Sequence, residues 1–319
     1  MEAKNGGMNM IRKIPFSNHE EWLQIRRGFI GGSDAGAVVG LDEYKSPYSL
    51  WAEKTGRIPP FEGNITTKVG AYLEELVAQM FTDETGKKVR KHNFTMVNDL
   101  FPWACANVDR LVNGEKAILE IKTSNSFPVM RQCRNGEFPA RWWAQVCHYL
   151  AVTELKKAYL AVLIGCRDFM VFELDRDEAE ISALMGAERD FWQLIQNDTP
   201  PAPDGSEPTT EAIKTIYSDS GKNVVDLFPM AAQLDQYTAL SGQIKELEAL
   251  RDEATNCIKA YIGDACGGEC DRYKVTWKSS TRRTFDSERF MRDNPELDLS
   301  SYYKEIHTRK FRVIEQKEA

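Results

Sequence analysis

At 319 residues with a net charge of −7, the chain can form one large domain or one and a half, and its apolar share suffices for a real core. Its longest apolar run, 158–165, is strand-sized, which excludes a transmembrane span, and residues 1–16 lack the continuous hydrophobic segment of a secretory signal. Seven scattered cysteines form no paired framework and fit a reducing cytoplasm; the negative charge argues against indiscriminate polyanion binding but leaves room for one cleft lined by Arg and Lys.

From the N-terminus, the pattern predicts a capped helix over 17–28. Ser17 is the expected N-cap, and Glu20 three residues on completes a capping box. Ile30-Gly31-Gly32-Ser33-Asp34 then leads into a small-residue helix. A serine there, after two glycines, is a ready anion site and equally a plain N-cap. Ser46-Pro47-Tyr48 opens a helix over 48–55, stopped by Gly56. An amphipathic helix is predicted over 68–85, with Leu73, Leu76, Val77, Met80 and Phe81 on one face. Glu74 lies beside that stripe, four residues after Gly70. Strands are expected at 88–96, 103–112 and 116–123.

The last two strands hold the most informative stretch. Asp109-Arg110-Leu111-Val112 and Ile118-Leu119-Glu120-Ile121-Lys122 are joined by Asn113-Gly114, a strong hairpin signal. A period of two puts Glu120 and Lys122 on one face and Ile121 on the other, in a core. An aspartate, a glutamate and a lysine then converge at one sheet edge. Such a group suits a hard divalent cation and phosphodiester hydrolysis. Charges alternating along a strand also mark the solvated face of an amphipathic hairpin, and this stretch alone leaves both readings open.

A helix over 139–152 follows, with Trp142, Val146, Tyr149 and Leu150 apolar and Gln145 among them. His148 in that apolar setting reads as a satisfied core residue, not a ligand. A hairpin at 157–164 and 169–174 and a helix over 177–197 complete a mixed sheet flanked by helices, the α+β or α/β class. The proline-rich segment 199–208 marks a boundary, giving a core domain of 1–205 and an appendage of 206–319. In the appendage a helix over 230–262 places Leu240, Ile244, Leu247, Ala254, Ile258 and Tyr261 near heptad spacing, interrupted by Arg251. It reads as a short coiled coil or a helix packed on its own domain. Tyr273, Val275 and Trp277 alternate with Lys274, Thr276 and Lys278, a strand with a basic face. Cys266 and Cys270 form a single pair, short of a four-cysteine iron–sulfur site.

Glu74, Asp109 and Glu120 with the Ile121 carbonyl would supply oxygen ligands to Mg²⁺. The ion would polarise a phosphoryl oxygen and acidify a water. Lys122 would orient or help deprotonate that water, or neutralise charge on the scissile phosphate. Gln145 would hold the water or a phosphate oxygen.

The Asp–turn–Glu-x-Lys arrangement, with Glu74 upstream and Gln145 downstream on helices, resembles the PD-(D/E)xK nuclease superfamily. Val108 stands where the nominal proline would be. More narrowly, the chain resembles the YqaJ-type viral recombinase group, which includes the phage lambda exonuclease. Matching segments run in order at 22–26, 30–34, 70–74, 104–109, 120–122 and 144–149, within 20–197. The resemblance implies a restriction-endonuclease-like core with a mixed central sheet. It implies a metal-dependent 5′-to-3′ exonuclease that digests linear double-stranded DNA and leaves a 3′ overhang for a single-strand annealing protein.

By the same resemblance Glu74, Asp109, Glu120 and the Ile121 carbonyl bind Mg²⁺, with Mn²⁺ able to substitute and two ions per site. Lys122 and Gln145 complete the catalytic set, and Arg26 and Ser33 grip the 5′-phosphate. A ring-shaped homotrimer in the cytoplasm of a bacterial host, phage or prophage encoded and without membrane association, is also implied. The appendage has no counterpart in the minimal nuclease and is expected to serve assembly, or DNA engagement through Lys274, Lys278, Arg282 and Arg283. The rival is a PD-(D/E)xK endonuclease or repair nuclease, which would not need Arg26 and Ser33. A non-catalytic DNA-binding or assembly protein of the same fold is disfavoured by intact Asp109, Glu120 and Lys122.

Overall fold

The computed structural model describes residues 11–305 and 308–314, and its internal contacts divide the chain after Tyr217. The first unit opens with β1 (Ile11–Pro15) and α1 (His19–Arg27). The helix starts one residue later than the Ser17 cap predicts. Asn18 accepts from the Glu21 amide at 2.9 Å, and the Glu21 carboxylate accepts from the Ser17 amide at 2.8 Å. Asn caps as well as Ser, so the cap moves one place along, and Glu21 closes back on the residue before it rather than on the cap itself. β2 (Ile30–Gly31) turns directly into α2 (Gly32–Val38), capped by Gly31, so Ser33 lies inside its first turn. α3 (Pro47–Lys54) is capped by Ser46. α4 (Ile65–Thr85) begins earlier than expected because Asn64 accepts from the Thr67 amide at 3.1 Å.

The predicted strands at 88–96 and 103–112 each divide in two. The first gives β3 (Val89–Arg90) and β4 (Phe94–Asn98), the second β5 (Ala104–Ala106) and β6 (Arg110–Val112). The halves join different sheets. One is four-stranded, ordered β1-β4-β5-β2. The other contains β7 (Ala117–Ser124), β8 (Lys157–Ile164) and β9 (Asp168–Asp175), ordered β3-β6-β7-β8-β9. Asp109 is therefore not in a strand; it sits in the passage 107–109 between the sheets. The turn from β6 to β7 spans 113–116, longer than a tight Asn-Gly hairpin, with Gly114 at φ +76°.

β7 and β8 are parallel, which demands a crossover. α5 (Phe127–Arg134), absent from the sequence expectation, and α6 (Ala140–Thr153) supply it. Leu119 and Ile121 of β7 pack with Val77 and Phe81 of α4, while Ile118 packs with Val146 and Leu150 of α6. Burial on both faces fixes the register and commits Glu120 and Lys122 to the α6 side. α7 (Glu178–Gln196) and α8 (Glu207–Ile216) close the unit. The boundary expected at 205 falls instead after Tyr217. The reason is α8, which buries Ala212 among Leu50 and Trp51 of α3 and donates from Thr209 to Ser46 at 2.7 Å.

In the second unit a 3-10 turn (Phe228–Met230) runs into α9 (Ala231–Ile262), 32 residues long with none buried. A hairpin of β10 (Gly267–Glu269) and β11 (Lys274–Thr276) follows, then α10 (Ser287–Asp293). Among the described residues no helix is long and apolar enough to cross a membrane.

Candidate active site

The passage between the sheets lays Asp109 against β7, where its carboxylate accepts from the Ile121 amide at 2.7 Å. Beside it, two residues of β7 and one of α6 form a closed group. Lys122 Nζ donates to Glu120 Oε1 at 2.8 Å and to Gln145 Oε1 at 2.7 Å. Gln145 Nε2 donates to the same Glu120 oxygen at 2.7 Å and to the Tyr149 hydroxyl at 3.1 Å. Glu120 Oε2 is buried without a partner. Burial, then the charge of Glu120, pushes the Asp109 carboxyl well above the usual range. Burial also raises Glu120, against the pull of Lys122. A buried acid with an orphaned oxygen, beside a second acid that is half-buried, is costly as it stands. The two are the hard oxygen donors that a cation such as Mg²⁺ takes, so the residues fit the group.

Glu74 is not in this cluster. The Arg110 guanidinium, almost fully buried, bonds Glu74 with one nitrogen and donates to Glu75 with the other at 2.8 Å. The first nitrogen also donates to the Asp109 carbonyl at 2.7 Å, and Lys91 lies 3.5 Å from Glu74. The expected three-carboxylate set is thus two carboxylates here, with Glu74 drawn away by a buried cation. Among the described residues no three of His, Cys, Asp and Glu stand close enough to hold a metal by themselves. His148 is a core residue as the sequence suggests. Its Nδ1 lies 2.7 Å from Glu188 and its Nε2 2.9 Å from the Cys105 carbonyl. Burial opposes a charge on the ring, but Glu188 carries its pKa above the ordinary value.

The carboxylates and Lys122 line a cavity of about 250 Å³ that Arg26, Ser33 and Trp22 also enter. Two close approaches make this possible. A Cβ on Gly32 would meet the Tyr149 ring at 2.3 Å, and one on Gly36 would meet Arg141 Cβ at 2.9 Å. Without side chains there, α2 lies directly on α6. The Arg26 guanidinium bonds the Ser33 hydroxyl and sits over the Trp22 ring at 5.3 Å.

Sequence reasoning missed Asp34, the anchor of this region. It is 2% exposed and faces Lys54 at 2.9 Å, Arg26 at 3.5 Å and Lys45 at 3.8 Å. Burial alone would raise its pKa, but these cations hold it well below the carboxylate range. Burial likewise opposes the Arg26 charge, and Asp34 restores it. Three cations against Asp34 and Glu53 leave the cluster net positive. A cavity of about 850 Å³ shares Arg26 and Ser33 and adds Lys45, Lys54 and Arg57. The available signal for Asp34 was a charged residue in an otherwise small, apolar helix start.

A mixed sheet with an acid at its entry, Glu-x-Lys on a central strand and helices on both faces defines the PD-(D/E)xK fold. The molecule is similar to an alkaline exonuclease (LHK-Exo) from Laribacter hongkongensis, with TM-score 0.50 and 19% identity over 56% of this chain and 94% of that one. Against LHK-Exo in complex with dAMP the TM-score is 0.51. The YqaJ-like viral recombinase domain matches residues 21–156. Protein YqaJ of Bacillus subtilis (strain 168) is 36% identical over 312 residues, covering 96% of this chain and 97% of that protein. The chain belongs to the YqaJ-like viral recombinase family.

Proposed function

We propose that this protein is a metal-dependent exonuclease that degrades one strand of linear double-stranded DNA from its 5′ end. The observation that carries the reading is one pocket shared by the Asp109–Glu120–Lys122–Gln145 cluster and the Arg26–Ser33 pair. The family membership supports it. So does the shared fold of LHK-Exo, an alkaline exonuclease with a dAMP complex.

Asp109, Glu120 and the Ile121 carbonyl would hold the cation; Glu74, bonded to Arg110, would join them only by leaving that pair. Bound there, Mg²⁺, replaceable by Mn²⁺ and as two ions per site, would supply Lewis acidity toward the phosphoryl oxygen and acidify the attacking water. Lys122 has three ammonium protons, two of them committed to Glu120 and Gln145. The third neutralises a non-bridging oxygen of the scissile phosphate. Gln145, steadied by Tyr149, keeps the lysine in place. The attacking water gives up a proton to solvent as its oxygen bonds to phosphorus, the P–O3′ bond breaks, and the leaving 3′ oxygen takes a proton from solvent. The shortened strand keeps a 5′-phosphate, so each cut regenerates the group that Arg26 and Ser33 bind through charge-assisted donors. The surviving strand is a 3′ overhang, the substrate of a single-strand annealing protein.

End-labelled duplexes with 5′-phosphate or 5′-hydroxyl ends, and closed circles, test this in Mg²⁺ and in chelator. The expected result is release of mononucleotides from 5′-phosphate ends in Mg²⁺ only. Equal digestion of 5′-hydroxyl ends would remove the end-phosphate role of Arg26 and Ser33, and cutting of circles would replace the reading with an endonuclease.

A further inference from the structure

Gln145 stands between Lys122 and Tyr149, and the lysine decides which way its amide faces. Lys122 Nζ carries only donors, so the atom 2.7 Å from it must be the amide oxygen. The amide nitrogen is then turned to the Tyr149 oxygen at 3.1 Å and donates to it. The phenol oxygen therefore accepts, and its own proton must point elsewhere. Among the described residues no acceptor is bonded to that proton. Tyr149 is 5% exposed, so the hydroxyl has little bulk water to turn to.

The ring fixes where the proton can go. A Cβ on Gly32 would stand 2.7 Å from the ring carbon that bears the hydroxyl. The next residue is Ser33, whose own hydroxyl the Arg26 guanidinium bonds. Tyr149, Gly32, Ser33 and Arg26 line the same cavity as Glu120 and Lys122. Burial above all, then the charges of Glu120 and Asp109, holds the phenol well above its ordinary pKa, with Arg26 pulling the other way. At neutral pH the group is a donor, not an anion.

We propose that the Tyr149 hydroxyl is a further donor to the 5′-phosphate, beside Arg26 and Ser33, and selects the phosphorylated end. The inference rests on the reading of Arg26 and Ser33 as the grip on that phosphate. A phosphate oxygen completes the hydrogen bonding of the phenol. A 5′-hydroxyl end leaves it a buried donor without an acceptor, and a site built around such a donor rejects the ligand that lacks its partner. If the hydroxyl served Gln145 alone, its loss would weaken chemistry at every end alike.

Tyr149→Phe in the full chain separates the two roles. It keeps the ring on Gly32 and leaves Gln145 its bond to Glu120. The first readout is binding of short duplexes, dye-labelled at a 3′ end, by fluorescence anisotropy in chelator, with 5′-phosphate or 5′-hydroxyl ends. The second is kcat/KM on the same two ends in Mg²⁺. Tyr149→Phe should lower the phosphate-to-hydroxyl ratio roughly ten-fold in both, the scale of one hydrogen bond to a charged group. The ratio is taken within one variant, so a smaller folded fraction cancels. Arg26→Ala is measured alongside. If Arg26→Ala lowers the ratio and Tyr149→Phe does not, the inference falls and the grip stands. If neither lowers it, the grip itself is misread and the inference falls with it. Equal losses on both ends in Tyr149→Phe would assign the hydroxyl to Gln145 alone and overturn the proposal.

Discussion

Helices α6 and α9 both carry apolar residues at helical spacing, yet α6 buries everything from Ala144 to Thr153, whereas α9 buries none of its 32 residues. The difference lies in their neighbours. α6 packs in one core with residues of α2, α7 and the sheets, so its whole circumference is interior. Its polar residues must then be paired, and they are: Gln145 with Glu120 and Lys122, His148 with Glu188. The apolar stripe of α9, with Leu240, Ile244, Leu247 and Ile258, stays exposed instead. In the first unit polarity is enclosed and becomes chemistry; in the second it is solvated, and the apolar stripe with it.

The largest effects should fall on the enclosed acids. Asp109→Asn, Glu120→Gln and Lys122→Ala should each cut nucleotide release by roughly 10²-fold or more, on the scale of the several kcal/mol of metal and charge stabilisation lost. Single-turnover digestion measures this, and near-native turnover in any variant would remove that residue from the site. In chelator, Asp109→Asn and Glu120→Gln should melt above the unmodified protein at neutral pH. Both carboxyls are raised by burial, so their charged forms oppose folding there, and the gap should close as pH falls.

Breaking the buried pair beneath α6 comes next. His148→Gln should cost about 3–5 kcal/mol, because it leaves Glu188 enclosed without a cation. The His148 pKa is raised in the folded state. The stabilisation from its charge is therefore complete below an unfolded value of about 6.5 and is lost as pH rises through the folded value. Thermal melts of the two proteins across pH should converge toward the alkaline side. A constant gap would show that the ring is neutral throughout.

Leu150→Ala should cost about 2–5 kcal/mol in chemical unfolding, as for other fully buried leucines. Arg26→Ala should lower the preference for a 5′-phosphate by about 1.5–3 kcal/mol, the worth of hydrogen bonds to a charged group. Competition between phosphorylated and hydroxyl ends reads it directly. The smallest effect belongs to Leu247→Ala, which should shift single-chain stability by within about 0.5 kcal/mol. A cost equal to that of Leu150→Ala would abolish the contrast between the two helices.

Glu120, Lys122 and Ile121 were legible because strand periodicity is strict and the neighbours of Ile121 on α4 announce themselves as an amphipathic stripe. Gln145 was legible as a polar residue on an apolar helix. The division of 103–112 was not, because Asn107-Val108-Asp109 contains no glycine or proline to mark a change of sheet. Asp34 was hidden for another reason: Arg26, Lys45 and Lys54, which define it, come from separate segments. The Arg110–Glu74 bond joins residues 36 apart, and no local pattern signals it. Local periodicity exposes what a strand or helix does to its own side chains. It is silent on which distant charge a buried acid will find.

The Ile121 amide donates to Asp109 just where the β6–β7 ladder has ended at the Arg110–Leu119 pair. One backbone resonance is thereby tied to a strongly perturbed acid. A proton in a short bond to a carboxylate is deshielded by the full negative charge of its acceptor. Protonating Asp109, or drawing its charge toward a cation, weakens that field and moves the amide signal upfield. In an amide correlation spectrum Ile121 is a built-in gauge of the state of the carboxylate, readable before any DNA is added and without a single turnover.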